Sequence, residues 1–312
     1  MEPLTVMMPA RNAETTVAAA IRSVTRGLPR DGRILVLDDA SDDSTAEVVR
    51  GLARRDRRIG LLGSAGSRLG VAAAATALLD AVETPLVARM DADDISFPWR
   101  FRSQFALLDR HHLDCAFSPL IFVGPGRFAV EPQPLLSAGP ESLGLELVLN
   151  CAVAHPTMTG YRAAILDVGG YRSVPSEDWD LWMRLSLNGA RLGRTSLPAL
   201  AYRRHSGQTS AQSEWKASLG RDTAIAEVHR DLCRAVLGEQ SHRDHGAYAA
   251  LAGPGAAPEQ VAAAERLIDD VAAQASRFPL AQRLSLAVTA HGVRLLLRKR
   301  YPVSPSGISR TR

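Results

Sequence analysis

Residues 85–101 read Pro-Leu-Val-Ala-Arg-Met-Asp-Ala-Asp-Asp-Ile-Ser-Phe-Pro-Trp-Arg-Phe, a short apolar run that ends in three carboxylates, Asp91, Asp93 and Asp94. The run 85–90 has the length and character of a buried strand. The acids then sit at its carboxyl end, where open α/β sheets bind ligands. Three carboxylates within four residues repel one another unless a cation or hydrogen-bond donors compensate. An all-oxygen cluster of this kind suits a hard divalent ion, Mg²⁺ or Mn²⁺, held together with a substrate phosphate. The competing reading is an acidic turn in which Asp94 caps the next helix, and the cluster alone does not separate the two.

Outward from this point, strands and helices alternate. Residues 4–8 are apolar and are broken by Pro9-Ala10-Arg11-Asn12. Val17, Ile21 and Val24 then recur at helical spacing. A second strand, 33–37, ends in Asp38-Asp39, and Ser44 with Glu47 forms a capping-box pattern ahead of a second helix. A third strand covers 58–62. A Gly/Ser loop leads to Gly70 and a helix on which Val71, Ala75, Leu78, Leu79 and Val82 share a face. This alternation predicts a doubly wound, mostly parallel sheet flanked by helices.

Beyond residue 101 the pattern is less regular. A helix is expected over 97–108, a strand over 115–123, a short helix over 143–149, strand-like chain over 151–161, a helix over 178–187 and a last strand over 197–204. After about residue 210 only helical periodicity remains. The expected organisation is therefore an α/β domain over 1–210 and a helical extension over 211–312, with a disordered basic tail from 304. Residues 284–300 are apolar and then cationic. They read as a packing helix with a solvated end, or as an interfacial helix drawn to anionic lipid.

Composition narrows the classes. The 312 residues allow one large domain with an appendage, and 46 % hydrophobic content supports a sizeable core. Aromatics at 5 % argue against a stacking surface for single-stranded nucleic acid, and no nucleic-acid partner is expected. The net charge of +4 favours anionic ligands; all but two of the 37 basic residues, Lys216 and Lys299, are arginine. Three scattered cysteines, Cys115, Cys151 and Cys233, fit no zinc spacing and suit a reducing cytosol. The first strand starts almost at Met1, which leaves no room for a signal peptide. No run approaches the roughly 20 apolar residues of a membrane span. A cytoplasmic protein is expected, soluble or peripheral at the inner face of the membrane.

Three strand ends carry polar groups at one sheet edge: residues 9–12, Asp38-Asp39 and 91–94. A nucleotide fits such an edge. Asp39 could accept from a base or ribose, residues 9–11 could pack on the base, and Asp91 with Asp93 could hold ribose and a metal-bridged diphosphate.

The strings VMMPARNAETTVAAAIRSV, ILVLDDASDDST, ARMDADDISFPWRFRSQ, NCAVAHPTMTGYRAAILDVGGYR, EDWDLWMRL and YRRHSGQTS together resemble family-two glycosyltransferases of the GT-A fold, over about residues 4–210. The resemblance implies metal-dependent, inverting transfer of a sugar from a nucleoside diphosphate donor to a glycan or lipid-linked acceptor hydroxyl, in glycan or cell-envelope polysaccharide synthesis. By position it implies Pro9 and Arg11 beside the base, Asp39 hydrogen-bonded to it, and Asp91 near ribose and sugar. It implies Asp93 on Mn²⁺ or Mg²⁺, with Asp94 able to share that duty. Asp178 matches the catalytic base, and His205 resembles the loop residue that approaches metal or diphosphate. Many relatives carry an Arg-Asn pair where this chain has Ala74-Ala75-Thr76, so Arg68 is the candidate to reach the donor instead. An oligomer is compatible with the pattern.

Other residues keep two readings. Asp178 could instead cap its helix, His155 could be structural, and Trp179 could stack on an acceptor sugar while Trp182 fills the core. Arg203 and Arg204 could meet phosphate or solvate a strand end. A nucleotidyltransferase would want a lysine near its first loop, and none precedes Lys216. A dinucleotide-dependent oxidoreductase would want G-x-G-x-x-G after the first strand, and none is there. A catalytically inactive nucleotide-sugar-binding protein would show neither transfer nor donor hydrolysis.

Overall fold

Aliphatic runs of four to seven residues, each closed by a polar turn, set up the sheet. The computed structural model describes residues 2–63, 66–124, 127–129, 135–204, 213–238 and 246–302. Strands β1 (Leu4–Ala10), β2 (Arg33–Asp38), β3 (Ile59–Gly63) and β4 (Leu86–Arg89) are mutually parallel, in spatial order 3-2-1-4. Helices α1 (Val17–Gly27), α2 (Thr45–Ala53) and α3 (Val71–Ala81) connect them. The apolar face of α1, with Val17, Ile21 and Val24 buried, lies where the spacing predicts. The capping box at α2 does not form. Ser44 makes no side-chain cap, and Asp43 Oδ1 instead accepts the Thr45 N–H at 2.9 Å.

Past β4 the chain crosses a two-residue strand, β5 (Ile95–Ser96), and enters α4 (Arg100–His111). The single strand expected over 115–123 is two. Strand β6 (Cys115–Phe117) stays in the large sheet, whereas β7 (Leu120–Gly124) joins a second sheet with β5 and β8 (Arg127–Ala129). Ser118-Pro119 lies at the break; proline offers no N–H to continue a ladder. After α5 (Pro140–Leu149), the strand expected over 151–161 is mostly irregular. His155–Thr157 is a 3₁₀ turn with Pro156 inside it, and only β9 (Thr159–Tyr161) is extended.

Strand β9 runs antiparallel between β4 and β6. Gly160 makes that possible, since a Cβ there would lie 2.5 Å from Cys115 Sγ and 2.8 Å from the Asp114 carbonyl. After α6 (Arg162–Asp167) and α7 (Glu177–Leu187), the three-residue strand β10 (Leu192–Arg194), too short to leave a pattern in the sequence, completes the seven-stranded sheet beside β6. Strand β11 (Leu200–Arg203) lies between β5 and β7.

Then come only helices: α8 (Ser213–Leu219), α9 (Thr223–Leu237), α10 (Ala247–Ala252), α11 (Pro258–Ala273) and α12 (Leu280–Arg300). Their apolar faces share one cluster with α3, α5 and α7, so the sheet and these helices are packed together. Trp182 fills that core, edge-on to Phe117 at 4.8 Å between ring centroids. The tail from residue 304 lies outside the described residues.

Candidate active site

The β1–α1 and β2–α2 loops are sewn into one edge. Asn12 takes φ +49, its N–H donates to Ser41 Oγ at 3.0 Å, and its Oδ1 accepts the Asp42 N–H at 2.9 Å. Pro9 is half-buried at the end of β1, beside exposed Arg11. Arg11 stands 3.7 Å from Asp42, a surface pair worth little energy. Asp39, buried at the end of β2, accepts the Leu69 N–H at 2.6 Å and the Gly70 N–H at 3.0 Å. Gly70 holds φ +85, a conformation open chiefly to glycine, and this presents both N–H groups to one carboxylate. A carboxylate has about four acceptor positions, so Asp39 keeps capacity for a further donor. Arg68 is exposed on the same loop.

At the end of β4, oxygens of Asp91, Asp93 and Asp94 lie within 4.8 Å of one another. Asp94 does not cap a helix. Its Oδ1 accepts the Arg203 N–H at 2.9 Å, and its Oδ2 is buried without a partner. Burial, then the charges of Asp91 and Asp93, push its carboxyl up to about 9. An oxygen-only donor set with one orphaned carboxylate oxygen fits a hard divalent cation. Arg89 offsets part of the charge. Its guanidinium is buried 3.0 Å from Asp91 Oδ1 and donates to the Met90 carbonyl at 2.8 Å.

Behind the cluster, Arg100 is fully buried and donates to the Arg89 carbonyl at 2.7 Å and the Met158 carbonyl at 3.2 Å. Burial draws its pKa down to about 9. Gln104 donates to the Thr157 carbonyl at 2.6 Å and accepts from Thr159 Oγ1 at 2.7 Å. Arg100 thus ties the end of β4 to Met158, and Gln104 fixes the neighbouring 157–159 segment.

The N-terminus of α7 brings the second set of acids. Asp178 Oδ1 accepts Ser176 Oγ at 2.9 Å and the Trp179 N–H at 2.8 Å, and Oδ2 faces the Cys151 thiol at 3.6 Å. Burial and then Glu177 raise its pKa. Burial raises Glu177 too, and Glu177 lies 3.5 Å from His155 Nδ1. His155 Nε2 meets the Tyr171 hydroxyl at 2.9 Å. Burial and then Arg89 push His155 down to about 4, while the charges of Asp178 and Asp91 act on it in the opposite direction. His155 thus bridges Glu177 and the Tyr171 hydroxyl within the buried wall of the site.

Several contacts were not marked by the sequence pattern. Glu177, Tyr171, Ser176 and Cys151 acquire their places only through folding. Arg89 did leave a signal, an arginine inside an otherwise apolar strand. Trp179 does not offer a stacking face. It is buried, with its indole N–H on the Leu147 carbonyl at 2.9 Å. Arg204 lies over the Phe122 ring, 3.8 Å from its centroid. His205, the expected metal neighbour, lies outside the described residues.

Comparison with known proteins gives this arrangement a class. The structure matches that of S. aureus TarS 1-349 in complex with UDP-GlcNAc at a TM-score of 0.62 and 18 % identity, over 97 % of this chain and 93 % of that one. It matches the mannosyltransferase PcManGT from Pyrobaculum calidifontis, in complex with GDP-Man and Mn²⁺, at 0.58 and 17 %, over 95 % and 83 %. Such a sheet, with C-terminal helices packed on it, is the GT-A fold of glycosyltransferases. Glycosyl transferase family 2 matches residues 5–170, and the chain belongs to that family. A relative in Escherichia coli, the UDP-Glc:alpha-D-GlcNAc-diphosphoundecaprenol beta-1,3-glucosyltransferase WfaP, is 22 % identical over 242 residues, 75 % of this chain and 91 % of WfaP. The protein is a glycosyltransferase, and its reaction is sugar transfer. Among the described residues, no helix is long and apolar enough to cross a membrane.

Proposed function

We propose that the enzyme moves a sugar, with inversion, from a nucleoside diphosphate donor to a hydroxyl of a lipid-linked saccharide. The single observation that carries this reading is the cluster of Asp91, Asp93 and Asp94 at the end of β4, with oxygens within 4.8 Å of one another, in a chain of glycosyl transferase family 2. Pro9, Arg11 and Asp39 receive the base, Arg68 reaches the donor, and Asp91 faces ribose and sugar. Asp93 and Asp94 hold Mn²⁺ or Mg²⁺, with His205 assigned beside them by family likeness. A divalent cation bound there supplies positive charge against the departing diphosphate. Asp178 accepts the acceptor hydroxyl proton as the new bond forms at the anomeric carbon and the bond to diphosphate breaks. Attack from the face opposite the diphosphate inverts that carbon. The acceptor class is suggested by the diphosphoundecaprenol substrate in the name of WfaP.

The test is a thermal-shift and calorimetric screen of UDP-, GDP- and dTDP-sugars with and without Mn²⁺. One donor is expected to raise the melting point only with the cation, by the mass-action stabilisation of the folded state. Asp93→Ala is expected to abolish that metal dependence. Equal donor affinity with and without Mn²⁺ would remove the metal assignment.

A further inference from the structure

We infer that the outer face of α12 docks the enzyme on an anionic lipid bilayer. The inner face of this helix is packed, with Ser285, Leu286, Thr289, Ala290, Val293 and Leu297 buried. On the opposite face Leu280, Leu284, Val288 and Leu295 are 68, 47, 40 and 52 % exposed. Their spacing of four, four and seven keeps them within an arc of about 80° on a helix. Apolar side chains scattered singly over a surface need no explanation, but a stripe of four along one helix marks an interaction face.

The charge around the stripe selects its occupant. From residue 271 to 312 the chain has no Asp or Glu, and it has seven arginines and one lysine. Acids do reach α12 from α11: Glu265 and Asp269 pair with Arg294, and Glu265 stands 4.0 Å from Arg298. Arg300 turns inward to the carbonyls of Ala250, Leu251 and Gly253. Arg283 and Lys299 remain exposed beside the leucines. Aliphatic side chains flanked by cations suit insertion among acyl chains beneath anionic headgroups. A second copy of the same face would set cation against cation.

The helix is rigidly joined to the catalytic side. Ser285 Oγ accepts from Arg194 at 2.6 Å, and Arg194 also donates to the Ala152 carbonyl at 3.0 Å, next in the chain to Cys151 at Asp178. Docking through α12 would therefore set the height and tilt of Asp178 over the bilayer, where a lipid-linked acceptor presents its hydroxyl. That orienting role rests on the proposed acceptor, whereas docking itself does not.

The test is flotation of the full chain with phosphatidylcholine vesicles that contain or lack phosphatidylglycerol. Wild type is expected to float only with the anionic vesicles and to be released by salt. The double change Leu284→Ser with Leu295→Ser is expected to weaken partitioning at least roughly tenfold. Arg283→Gln and Lys299→Gln should each weaken it roughly fivefold. All these variants should bind nucleotide-sugar as wild type does. Failure to find a donor would defeat the proposed reaction and leave the flotation result standing. Docking is overturned if wild type stays unbound, if it floats equally without phosphatidylglycerol, or if the double variant floats like wild type. A wild-type dimer that the double variant dissolves would assign the face to a second copy instead.

Discussion

Asp178 shows how a carboxylate can be placed and tuned by its immediate neighbours. A serine hydroxyl and its own helix N-terminus hold one oxygen, and a thiol faces the other. The helix end favours the anion, whereas burial and Glu177 oppose it, and the net shift is upward. Asp178→Asn is expected to lower turnover by about 10²–10⁴ and to leave donor affinity unchanged, as read by steady-state kinetics alongside calorimetry. Because the proton must leave before Asp178 can act as base, the acid limb of the kcat/KM profile should lie above the ordinary aspartate range and vanish in the variant. The placement of Asp39, Asp91 and Asp93 at strand ends and of Asp178 at a helix start was legible in the sequence, and the roles proposed for them rest on the family resemblance. The contacts of His155 with Glu177 and Tyr171 were not legible, because folding brings them together from separate elements. The arginines expected at phosphate were ambiguous for a similar reason. Folding is what brings the backbone N–H of Arg203 to Asp94.

Short elements are fixed by their partners more than by their own pattern. Helices with a clean apolar stripe and strands next to β1 were readable; β6 and β9 fall inside longer stretches expected as strand, and β5 and β10, of two and three residues, left no pattern. Helix α4 braces the end of β4 and the 157–159 segment through Arg100 and Gln104. Gln104→Ala removes a donor to the Thr157 carbonyl and an acceptor for Thr159 in a dry site. It should cost roughly 1–3 kcal/mol for each group left unpaired, measured as a fall in the urea midpoint. At the contact of α9 with α5, buried His229 donates from Nε2 to the Val148 carbonyl at 2.7 Å, and burial lowers its pKa to about 4. In the unfolded chain it titrates near 6.5, so between those values the unfolded state binds the extra proton. Stability from this group is therefore complete above pH 6.5 and is lost as pH falls toward 4. Urea titrations at several pH values should show a shallower acid decline in His229→Asn than in wild type.

At the scale of the whole molecule, the catalytic sheet and the C-terminal helices meet in a buried ionic contact. Arg194 of β10, Glu146 of α5 and Ser285 of α12 are all buried, with Arg194 Nη1 2.8 Å from the Glu146 carboxylate. Glu146→Ala leaves the guanidinium without its counter-charge and should cost roughly 3–5 kcal/mol, read by chemical denaturation. Glu146→Gln, which keeps a hydrogen-bond acceptor, should cost less. The alternation of strands and helices made the sheet predictable, but nothing in the periodicity of residues 211–312 says that their apolar faces complete its core. Swapping the last third of this enzyme for that of a homologue would consequently be risky. Unless a hydroxyl at position 285 travelled with the graft, Arg194 and Glu146 would each lose a buried hydrogen-bond partner, and exchange of acceptor preference by such chimeras would have to respect that joint.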